Sequence, residues 1–349
     1  MGLAERPVTE RVLISGSAGF IGGYLTAELL QRGYQVVGVD DFSKYGPRRS
    51  HCDGHPGFSF VEGDAANASL MYRLLADCDY FIAAAAMVGG ISYFHAFPYD
   101  LLAANERIMA GSCDAAIKAC RQGRLRKLVY VSSSMVYESA DTWPSAEGQQ
   151  ARLPPPPSAY GFQKLAGEYF VRAASAQYGL PFTIVRPFNC VGAGESRALR
   201  ADEIGSGDIK LALSHAVPDL VTKVLKGQDP LRVLGSGTQV RHYTYAGDIA
   251  RGIALAMSHP RAAGQDFNLS TATGTTVAEL AARIWRRIKG PEVPLRIEHD
   301  APYPHDVQRR EPDTRKARRM LGFQATTTLD EMLDEVICWV TEALAAGLL

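Results

Sequence analysis

The chain has 349 residues, of which 46% are hydrophobic, and its 37 Lys and Arg residues balance its 37 Asp and Glu residues. This length fits one large domain or two and allows a substantial buried core. The balanced charge gives neither the basic surface expected of a nucleic-acid-binding protein nor an acidic tail, so the composition favours a compact enzyme or a small-molecule binding protein.

The N-terminal half alternates short apolar runs with helical stretches. The predicted strands are Arg11–Ser15, Tyr34–Val39, Phe58–Glu62, Tyr80–Ala84, Lys127–Ser132 and Phe182–Arg186. The predicted helices between them are Gly23–Arg32, Ala66–Ala76, Asp100–Gln122 and Ser158–Tyr178. Strands that alternate with helices in this way predict an α/β fold, with a parallel sheet covered by helices on both faces.

Two loops and a looser C-terminal half follow. The loop Glu138–Pro157 ends in four prolines, which exclude a helix interior, and is expected beside the active cleft. The loop Gly192–Ile209 is expected to be a mobile segment over the substrate. The predicted C-terminal elements are helices Ser214–Lys226, Asp248–Met257, Val277–Lys289 and Leu329–Ala345, and strands Leu231–Leu234 and Phe267–Leu269. We therefore predict a first domain over residues 1–188 and a smaller α/β lobe over residues 189–349, with some segments crossing back to the first domain.

The cysteines and the N-terminus argue against a metal-binding protein and against a membrane protein. The six cysteines are scattered, without the spacing of a zinc site, and no metal is expected. Cys113 and Cys120 are predicted to be core residues rather than a disulfide. The N-terminus is polar, and no apolar run reaches the roughly 18 residues that span a bilayer. We therefore expect a cytoplasmic protein that binds neither membranes nor nucleic acid.

Three glycines lie between the first strand and its helix, at Gly16, Gly19 and Gly22. Glycine allows a tight turn and a close approach of the backbone to a pyrophosphate, which the N–H groups of a helix N-terminus attract. The spacing is GxxGxxG rather than GxGxxG, and a purely structural turn also explains the glycines alone. The pattern therefore indicates a dinucleotide site only together with other residues.

Acidic residues after the second and third strands supply that support. Asp40 ends the second strand, where a carboxylate suits the hydroxyls of an adenosine ribose. Asp41 beside it would repel a 2′-phosphate, so NAD is favoured over NADP, while Arg48 and Arg49 keep NADP open. Asp64 after the third strand could accept a hydrogen bond from the adenine amine, cap the following helix, or do both.

A second constellation is Tyr160 with Lys164, which share one helix face at i, i+4 spacing. A nearby ammonium stabilises a phenolate and lowers the tyrosine pKa towards the range of a general base. Such a pair is also common on solvated helix faces. Here the hydroxyls of residues 132–134 follow the fifth strand, at the carboxyl end where α/β sheets bind ligands. Ser, Tyr and Lys together predict a site that handles a hydroxyl group.

The ordered motifs resemble the extended short-chain dehydrogenases/reductases of the nucleotide-sugar epimerase/dehydratase family. The matching motifs are GSAGFIG at Gly16–Gly22, GDA at Gly63–Ala65, AAAA at Ala83–Ala86, SSSMVYE at Ser132–Glu138, YGFQK at Tyr160–Lys164, RPFNCVG at Arg186–Gly192, SHAVPDL at Ser214–Leu220, GSGTQVRHYTYAGD at Gly235–Asp248, FNLST at Phe267–Thr271 and DTRKARRMLGF at Asp313–Phe323. The resemblance implies a Rossmann-type, doubly wound sheet of seven parallel strands with a C-terminal substrate lobe. It also implies tightly held NAD and a homodimer formed through a four-helix bundle of Asp100–Gln122 and Ser158–Tyr178.

The resemblance also assigns site residues. Tyr160 would take a sugar hydroxyl proton, Lys164 would bond the nicotinamide ribose and lower the tyrosine pKa, and Ser133 would hydrogen-bond the reacting oxygen. The implied cofactor contacts are Gly16, Gly19, Phe20, Ile21, Gly22, Asp40, Asp41, Asp64, Ala65, Ala84, Ala85, Ala86, Asn105, Tyr160, Lys164 and Pro187. The implied contacts to a nucleotide-diphosphate sugar are Met87, Gly89, Ser133, Ser134, Met135, Asn189, His215, Val217 and Arg241. Alternative interpretations are a turn residue for Asn189 and a surface ion pair for Arg241.

The residues after Ser133 narrow the choice among the reactions of this family. The family's 4,6-dehydratases carry Asp-Glu there, because elimination of water needs an acid and a base, whereas this chain has Ser134 and Met135. Met135 likewise disfavours the decarboxylases. Residues 86–91 are similar to GDP-fucose synthase and GDP-mannose 3,5-epimerase, but those enzymes use a Cys where Met135 stands, and a thioether has no proton to give. Their 3,5-epimerisation would need Cys190 or His215 instead.

A 4-epimerase needs only Ser, Tyr, Lys and NAD, and is therefore the predicted function. A dehydrogenase or ketoreductase with net cofactor turnover is the second hypothesis, and a non-catalytic NAD-binding scaffold is a third. Met87 and Met135 are predicted to form an apolar wall of the sugar pocket or part of the core. The nucleotide and the sugar are not readable from the sequence, and Tyr303 stands near where many 4-epimerases carry a phosphate-binding Arg.

Overall fold

A parallel sheet of seven strands forms the centre of the protein. The computed structural model describes residues 10–47, 50–88, 96–195, 204–206, 209–211, 215–302 and 307–349. In chain order its strands are β1 Arg11–Ser15, β2 Gln35–Asp40, β3 Phe58–Glu62, β4 Tyr80–Ala83, β5 Lys127–Val131, β6 Phe182–Pro187, β7 Cys190–Val191, β8 Ile204–Ser206, β9 Ile209–Leu211, β10 Leu231–Leu234, β11 Val240–Arg241, β12 Thr244–Tyr245, β13 Gln265–Leu269, β14 Thr275–Thr276 and β15 Ile297–Asp300.

Helices cover both faces of this sheet and form most of the C-terminal lobe. They are α1 Phe20–Gln31, α2 Ala68–Leu75, α3 Pro98–Arg121, α4 Ala159–Tyr178, α5 Ala216–Leu225, α6 Ala246–Ser258, α7 Val277–Lys289, α8 Arg315–Leu321 and α9 Leu329–Ala345. Among the helices that the structure describes, none is both long enough and apolar enough to cross a bilayer.

The strand order of the large sheet is β13-β6-β5-β4-β1-β2-β3, with every pair parallel. Every residue of β5 and of β6 is buried, as expected for strands covered on both faces. Neighbouring residues of β1 face opposite layers: Val12 and Ile14 pack with α1 and α6, and Leu13 packs with α2, α3 and α4. The predicted fold class is confirmed.

The smaller lobe has its own core. Helices α5, α7 and α9 contribute buried residues such as Val221, Ile284 and Val336 to one hydrophobic cluster. Strand β10 adds Leu231 and Val233 to this core and pairs with β15, and β11 pairs with β14. Two elements that follow residue 188, helix α6 and strand β13, instead pack in the layers of the large sheet.

Several predicted boundaries are confirmed and others are wrong. The strand Phe58–Glu62 and the helices Val277–Lys289 and Leu329–Ala345 are observed with the predicted limits. The first helix begins at Phe20 rather than Gly23, because Gly19 serves as its N-cap and Gly22 fits inside its first turn. Asp64 does not cap helix α2, since the side chain of Asn67 accepts the hydrogen bond from the Leu70 N–H at 3.0 Å.

The cysteines are free, so Cys113 and Cys120 form no disulfide, as predicted. Cys113 is buried in the core as expected, whereas Cys120 is half-buried against it. The loop Glu138–Pro157 contains one short 3-10 turn, Gln149–Ala151, and a second such turn, Ser134–Tyr137, directly precedes it. Most of the loop predicted over the substrate lies outside the described residues, as do Arg48, Arg49, Gly89 and Tyr303. In the part of the chain that the structure describes, no group of three His, Cys, Asp or Glu side chains could hold a metal ion.

Candidate active site

A cavity of about 980 Å³ lies along the carboxyl ends of the parallel strands and extends into the C-terminal lobe. Its wall includes Gly16 after β1, Asp40 at the end of β2, Ala84 after β4 and Ser133 after β5. Ligands of open α/β sheets bind at this edge. The volume is at the upper end of the range for a single-ligand cleft, so the cavity can hold a dinucleotide beside a second ligand.

The glycine turn after β1 is shaped for close approach of an anion. Gly16 has a φ of +77°, which favours glycine, and a Cβ at Gly22 would lie 2.0 Å from the Gly16 carbonyl oxygen. Helix α1 begins directly afterwards with no side-chain cap and no acidic residue in its first turn. Its first N–H groups, on residues 20–22 of the cavity wall, therefore remain available to a pyrophosphate.

Asp40 is held rigidly in the cavity wall. Its Oδ2 accepts a hydrogen bond from the Ala18 N–H at 3.1 Å, and its Oδ1 accepts one from the Phe42 N–H at 2.9 Å. A carboxylate at the end of the second strand suits the hydroxyls of an adenosine ribose. Asp41 and Asp64 line the same end of the cavity. The glycine turn, the free helix start and these carboxylates fit NAD.

Most of the predicted cofactor contacts lie on the cavity wall, which includes Phe20, Ile21, Ala65, Ala84, Ala85, Ala86 and Pro187. Asn105 does not. It is 2% exposed, and its side-chain amide accepts from the Met87 N–H at 2.7 Å and donates to the Met87 carbonyl at 2.9 Å. These two bonds hold the backbone of the cavity residue Met87, and the cofactor contact of Asn105 stays a prediction.

Ser133, Tyr160 and Lys164 converge at the end of β5. Ser133 follows the strand in an extended conformation, and its hydroxyl hydrogen-bonds the side chain of Tyr160. Tyr160 lies in the first turn of α4, where the hydroxyl of Ser158 accepts the Gly161 N–H at 3.0 Å. The Lys164 ammonium donates to the Val131 carbonyl at 3.0 Å and lies 5.9 Å from the centroid of the Tyr160 ring.

The pKa values of this group differ from the sequence expectation. Burial raises the pKa of Tyr160, and the hydrogen bond from Ser133 and the charge of Arg310 offset only part of the increase. Burial also lowers the pKa of Lys164 to about 8. The expected lowering of the tyrosine pKa by Lys164 is therefore not found in the protein alone, because desolvation of the phenolate outweighs the neighbouring charges.

A buried ionic network lies beneath these residues. Glu168, one turn after Lys164 on α4, accepts hydrogen bonds from Ser132 Oγ at 2.8 Å and from Arg186 Nε and Nη2, each at 2.7 Å. Arg186 is fully buried and also donates to Asp266 Oδ2 at 2.7 Å. Because Ser132 directly precedes Ser133, the network fixes the helix of Tyr160 against the end of β5.

The predicted substrate residues Met87, Ser134, Met135, Asn189, His215, Val217 and Arg241 all line the cavity. Asn189 has a positive φ of 36°, and its Oδ1 accepts from Arg310 Nη1 at 3.3 Å. Its Nδ2 is buried without a hydrogen-bond partner in the described part of the chain. An unsatisfied donor on a cavity wall indicates an acceptor supplied by a ligand.

Tyr243 and Arg310 are among the cavity residues that the sequence analysis missed. The hydroxyl of Tyr243 is buried without a partner among the described residues, as is Nδ2 of Asn189. Arg310 lines the same wall, and its charge acts on both Tyr160 and Tyr243. Tyr243 lies two residues after Arg241, a strand spacing that could have identified it. No local pattern marks Arg310.

Two further titratable groups face the cavity. His215 lies at the N-cap of α5, and its Nδ1 contacts the carboxylate of Glu195, which is 1% exposed. Cys190 is 9% exposed, and burial raises the pKa of its thiol well above the usual value. The thiol therefore stays protonated at neutral pH, so Cys190 is a poor base for a carbon acid.

Comparison with known proteins places these observations in a family. Residues 12–270 match the model of the NAD dependent epimerase/dehydratase family. A UDP-glucose 4-epimerase of Mycolicibacterium smegmatis is 28% identical over 331 residues, which cover 94% of this chain and 97% of the relative. A UDP-N-acetyl-alpha-D-glucosaminuronate decarboxylase of Bacillus cytotoxicus is 28% identical over 340 residues, covering 95% of this chain and 98% of the relative.

A solved structure agrees in fold along nearly the whole chain. The UDP-glucose 4-epimerase of Bifidobacterium longum, in complex with NAD+ and UDP, gives a TM-score of 0.78 at 26% identity. The match covers 95% of this chain and 98% of the other.

Proposed function

Because the chain belongs to the NAD dependent epimerase/dehydratase family, an enzyme family that acts on nucleotide sugars with NAD, we propose that it epimerises an NDP-hexose at C4. The observation that carries this proposal is the Ser133–Tyr160–Lys164 group on the cavity wall, with Ser134 and Met135 beside it. Neither of those side chains is an acid or base for elimination at neutral pH. Oxidation and reduction at a single hydroxyl carbon need only the first three residues.

In the proposed mechanism Tyr160 accepts the proton of the C4 hydroxyl while Ser133 donates a hydrogen bond to the same oxygen. Bound NAD supplies a reversible hydride acceptor. Lys164, anchored on the Val131 carbonyl at 3.0 Å, keeps a positive charge next to the phenolate. The sugar then turns within the cavity, so that hydrogen returns to the other face of the 4-keto carbon and Tyr160 gives back the proton.

The screen that tests this function starts from the purified protein. It is denatured to identify the released nicotinamide, and the native protein is then incubated with NDP-hexoses in D₂O without added NAD(P)H. We expect NMR to show C4 epimers that keep hydrogen at every ring carbon. Deuterium at C3 or C5 would instead indicate a 3,5-epimerase, and release of CO₂ a decarboxylase. In a parallel incubation with added NAD(P)+ or NAD(P)H, stoichiometric consumption of the nicotinamide would indicate a dehydrogenase or ketoreductase. Binding without turnover would indicate a scaffold.

The glycine turn allows a matched pair of variants for NAD binding. Gly22→Ala places a Cβ 2.0 Å from the Gly16 carbonyl oxygen, whereas a Cβ at Gly23 meets no atom within 4 Å. Gly22→Ala is expected to cost about 1–3 kcal/mol of stability and to weaken NAD binding at least about tenfold, as the turn shifts. Gly23→Ala should retain NAD and gain up to about 1 kcal/mol. Equal NAD content in both variants, measured after denaturation, would contradict this placement of the pyrophosphate.

We place the diphosphate of the substrate at Asn189, Arg241 and Tyr243 on the cavity wall, and a variant of Tyr243 tests this placement. Its buried hydroxyl has no partner among the described residues and lies in the field of Arg241 and Arg310. A hydrogen bond to a charged phosphate contributes about 1.5–3 kcal/mol, so Tyr243→Phe should raise KM about 10- to 100-fold with little change in kcat. Steady-state kinetics check this, with Tyr72→Phe, at a half-buried tyrosine outside the cavity, as the control. A fall in kcat at unchanged KM would exclude the contact.

Homodimerisation through helices α3 and α4 belongs to the same proposal. The two helices pack against each other and leave large aromatic side chains in solvent, with Tyr99 76% exposed and Tyr169 62% exposed. Exposed apolar surface of this kind marks an interface. The variant Tyr169→Glu should shift the protein from dimer to monomer in light scattering at micromolar concentration, whereas Val293→Glu, 42% exposed elsewhere, should not. A monomeric wild-type protein would refute the dimer.

A further inference from the structure

An ion pair faces the cavity from the C-terminal lobe. Asp219 and Lys223 lie one turn apart on α5 (Ala216–Leu225), with Oδ2 of the aspartate 3.0 Å from Nζ of the lysine. Both residues line the cavity, although their side chains are only 17% and 3% exposed. The ammonium also donates to the Arg232 carbonyl at 3.0 Å, which ties it to β10. A fixed donor therefore stands beside a fixed acceptor.

The surroundings of this pair suit a flat ring. Val217, Leu220 and Val233 line the same part of the cavity and are at most 3% exposed. In an NDP-sugar whose hexose lies at Tyr160 and whose diphosphate lies at Asn189, the remaining part is the nucleoside. A purine or pyrimidine ring can cover the apolar side chains and present its polar edge to the ion pair.

We propose that Asp219 and Lys223 recognise the guanine of a GDP-sugar. The inference rests on the proposed function in one respect, namely that the ligand is an NDP-sugar. The Watson–Crick edge of guanine carries the O6 acceptor next to two donors, N1–H and N2–H. Lys223 donates to O6, and the carboxylate of Asp219 accepts from N1–H and N2–H through lone pairs that Lys223 does not use.

Other bases match this arrangement less well. Uracil and thymine place an acceptor on each side of one N–H, so that their O2 would face a carboxylate oxygen. Adenine and cytosine each place one amine donor next to an acceptor, and satisfy only one oxygen of the carboxylate. A ligand that leaves buried polar groups unpaired loses affinity, so this edge selects guanine.

The test measures nucleotide binding to the protein with NAD bound, so that the dinucleotide site is filled. In isothermal titration calorimetry, GDP is expected to bind at least about tenfold more tightly than UDP, the discrimination given by one bidentate contact. Inosine diphosphate lacks the N2 amine and keeps O6 and N1–H, and should bind about tenfold more weakly than GDP. UDP binding as tightly as GDP, or equal binding of GDP and inosine diphosphate, would overturn the inference.

Variants separate base recognition from general damage. Asp219→Asn keeps the side-chain volume and should reduce the ratio of GDP to inosine diphosphate affinity to about one. Asp334→Asn, at a position 70% exposed on α9, should leave the ratio unchanged. An unaltered ratio in Asp219→Asn would overturn the assignment, and if that variant does not fold, the two nucleotides with wild-type protein decide.

The outcome is distinguishable from that of the proposed function. Epimerisation of a UDP-hexose with no preference for GDP would refute guanine recognition and leave the 4-epimerase intact. Preferential GDP binding without C4 epimerisation of any hexose would refute the 4-epimerase and leave guanine recognition intact.

Discussion

Tyr160→Phe is expected to lower kcat by about 10²- to 10⁴-fold, the contribution of a general base, while the protein keeps its NAD. The phenol hydroxyl is the group hydrogen-bonded to Ser133 at the end of β5, and the Phe variant removes only that oxygen. The ring stays in the first turn of α4, so the cofactor end of the cavity is unchanged. Steady-state kinetics and the nicotinamide released on denaturation measure the two effects separately.

The control for this variant is Tyr178→Phe, at the C-terminal end of the same helix, which should retain full activity. Tyr178 is 39% exposed and does not line the cavity. If Tyr160→Phe kept more than about a tenth of wild-type kcat, the base would lie elsewhere, and His215 with its Glu195 contact would be the next group to replace.

The largest expected stability effect is that of Arg186→Met, a loss of about 3–5 kcal/mol in the free energy of unfolding. Arg186 is fully buried between two carboxylates, Glu168 and Asp266, at 2.7 Å from each. Its removal leaves Glu168 buried without its bidentate partner, since a methionine fills the space but neutralises no charge. Urea unfolding followed by circular dichroism gives the difference.

Arg283→Met is the matched surface control. Arg283 pairs with Asp330, and the two side chains are 47% and 48% exposed, so this change should cost about 0–1 kcal/mol. A loss below about 1 kcal/mol in Arg186→Met would show that the buried network contributes little to stability.

The same network gives a pH dependence. Burial alone would raise the pKa of Asp266, but the charges of Arg186 and Lys316 hold it well below its usual value. A carboxyl whose folded pKa is depressed stabilises the fold above its unfolded pKa of about 3.9, and this stabilisation is lost as the pH falls below that value.

Much of the fold was predictable from the sequence because its large sheet is buried on both faces. The runs 80–83 and 127–131 are buried along their whole length, and such mostly apolar strands stand out without alternation. By contrast, four strands span only two residues each, which is too few to create a sequence pattern: β7, β11, β12 and β14. Their positions depend on contacts between segments far apart in the chain.

The residues of the candidate site were likewise only partly predictable from the sequence. The glycine turn, Asp40 and the Tyr160–Lys164 pair are local patterns, and the structure places them on one cavity. Asn105, predicted as a cofactor contact, is absent from the cavity wall, and its side-chain amide bonds the backbone of Met87. Arg310, Tyr243 and Asp219 come from separate segments of the C-terminal half, so that only the folded chain reveals their proximity.

Strand β13 (Gln265–Leu269) bears on how the protein can be made and divided. During synthesis the ribosome adds about 80 residues between β6 and this edge strand. Until β13 is made, β6 is an unpaired edge of the nascent sheet, and Arg186 lacks its partner Asp266. A gene fragment that stops at residue 188 should therefore yield an aggregation-prone product rather than a stable cofactor-binding module. A stable product must extend past residue 269, where the sheet is complete, and through α9, whose buried side chains complete the core of the smaller lobe.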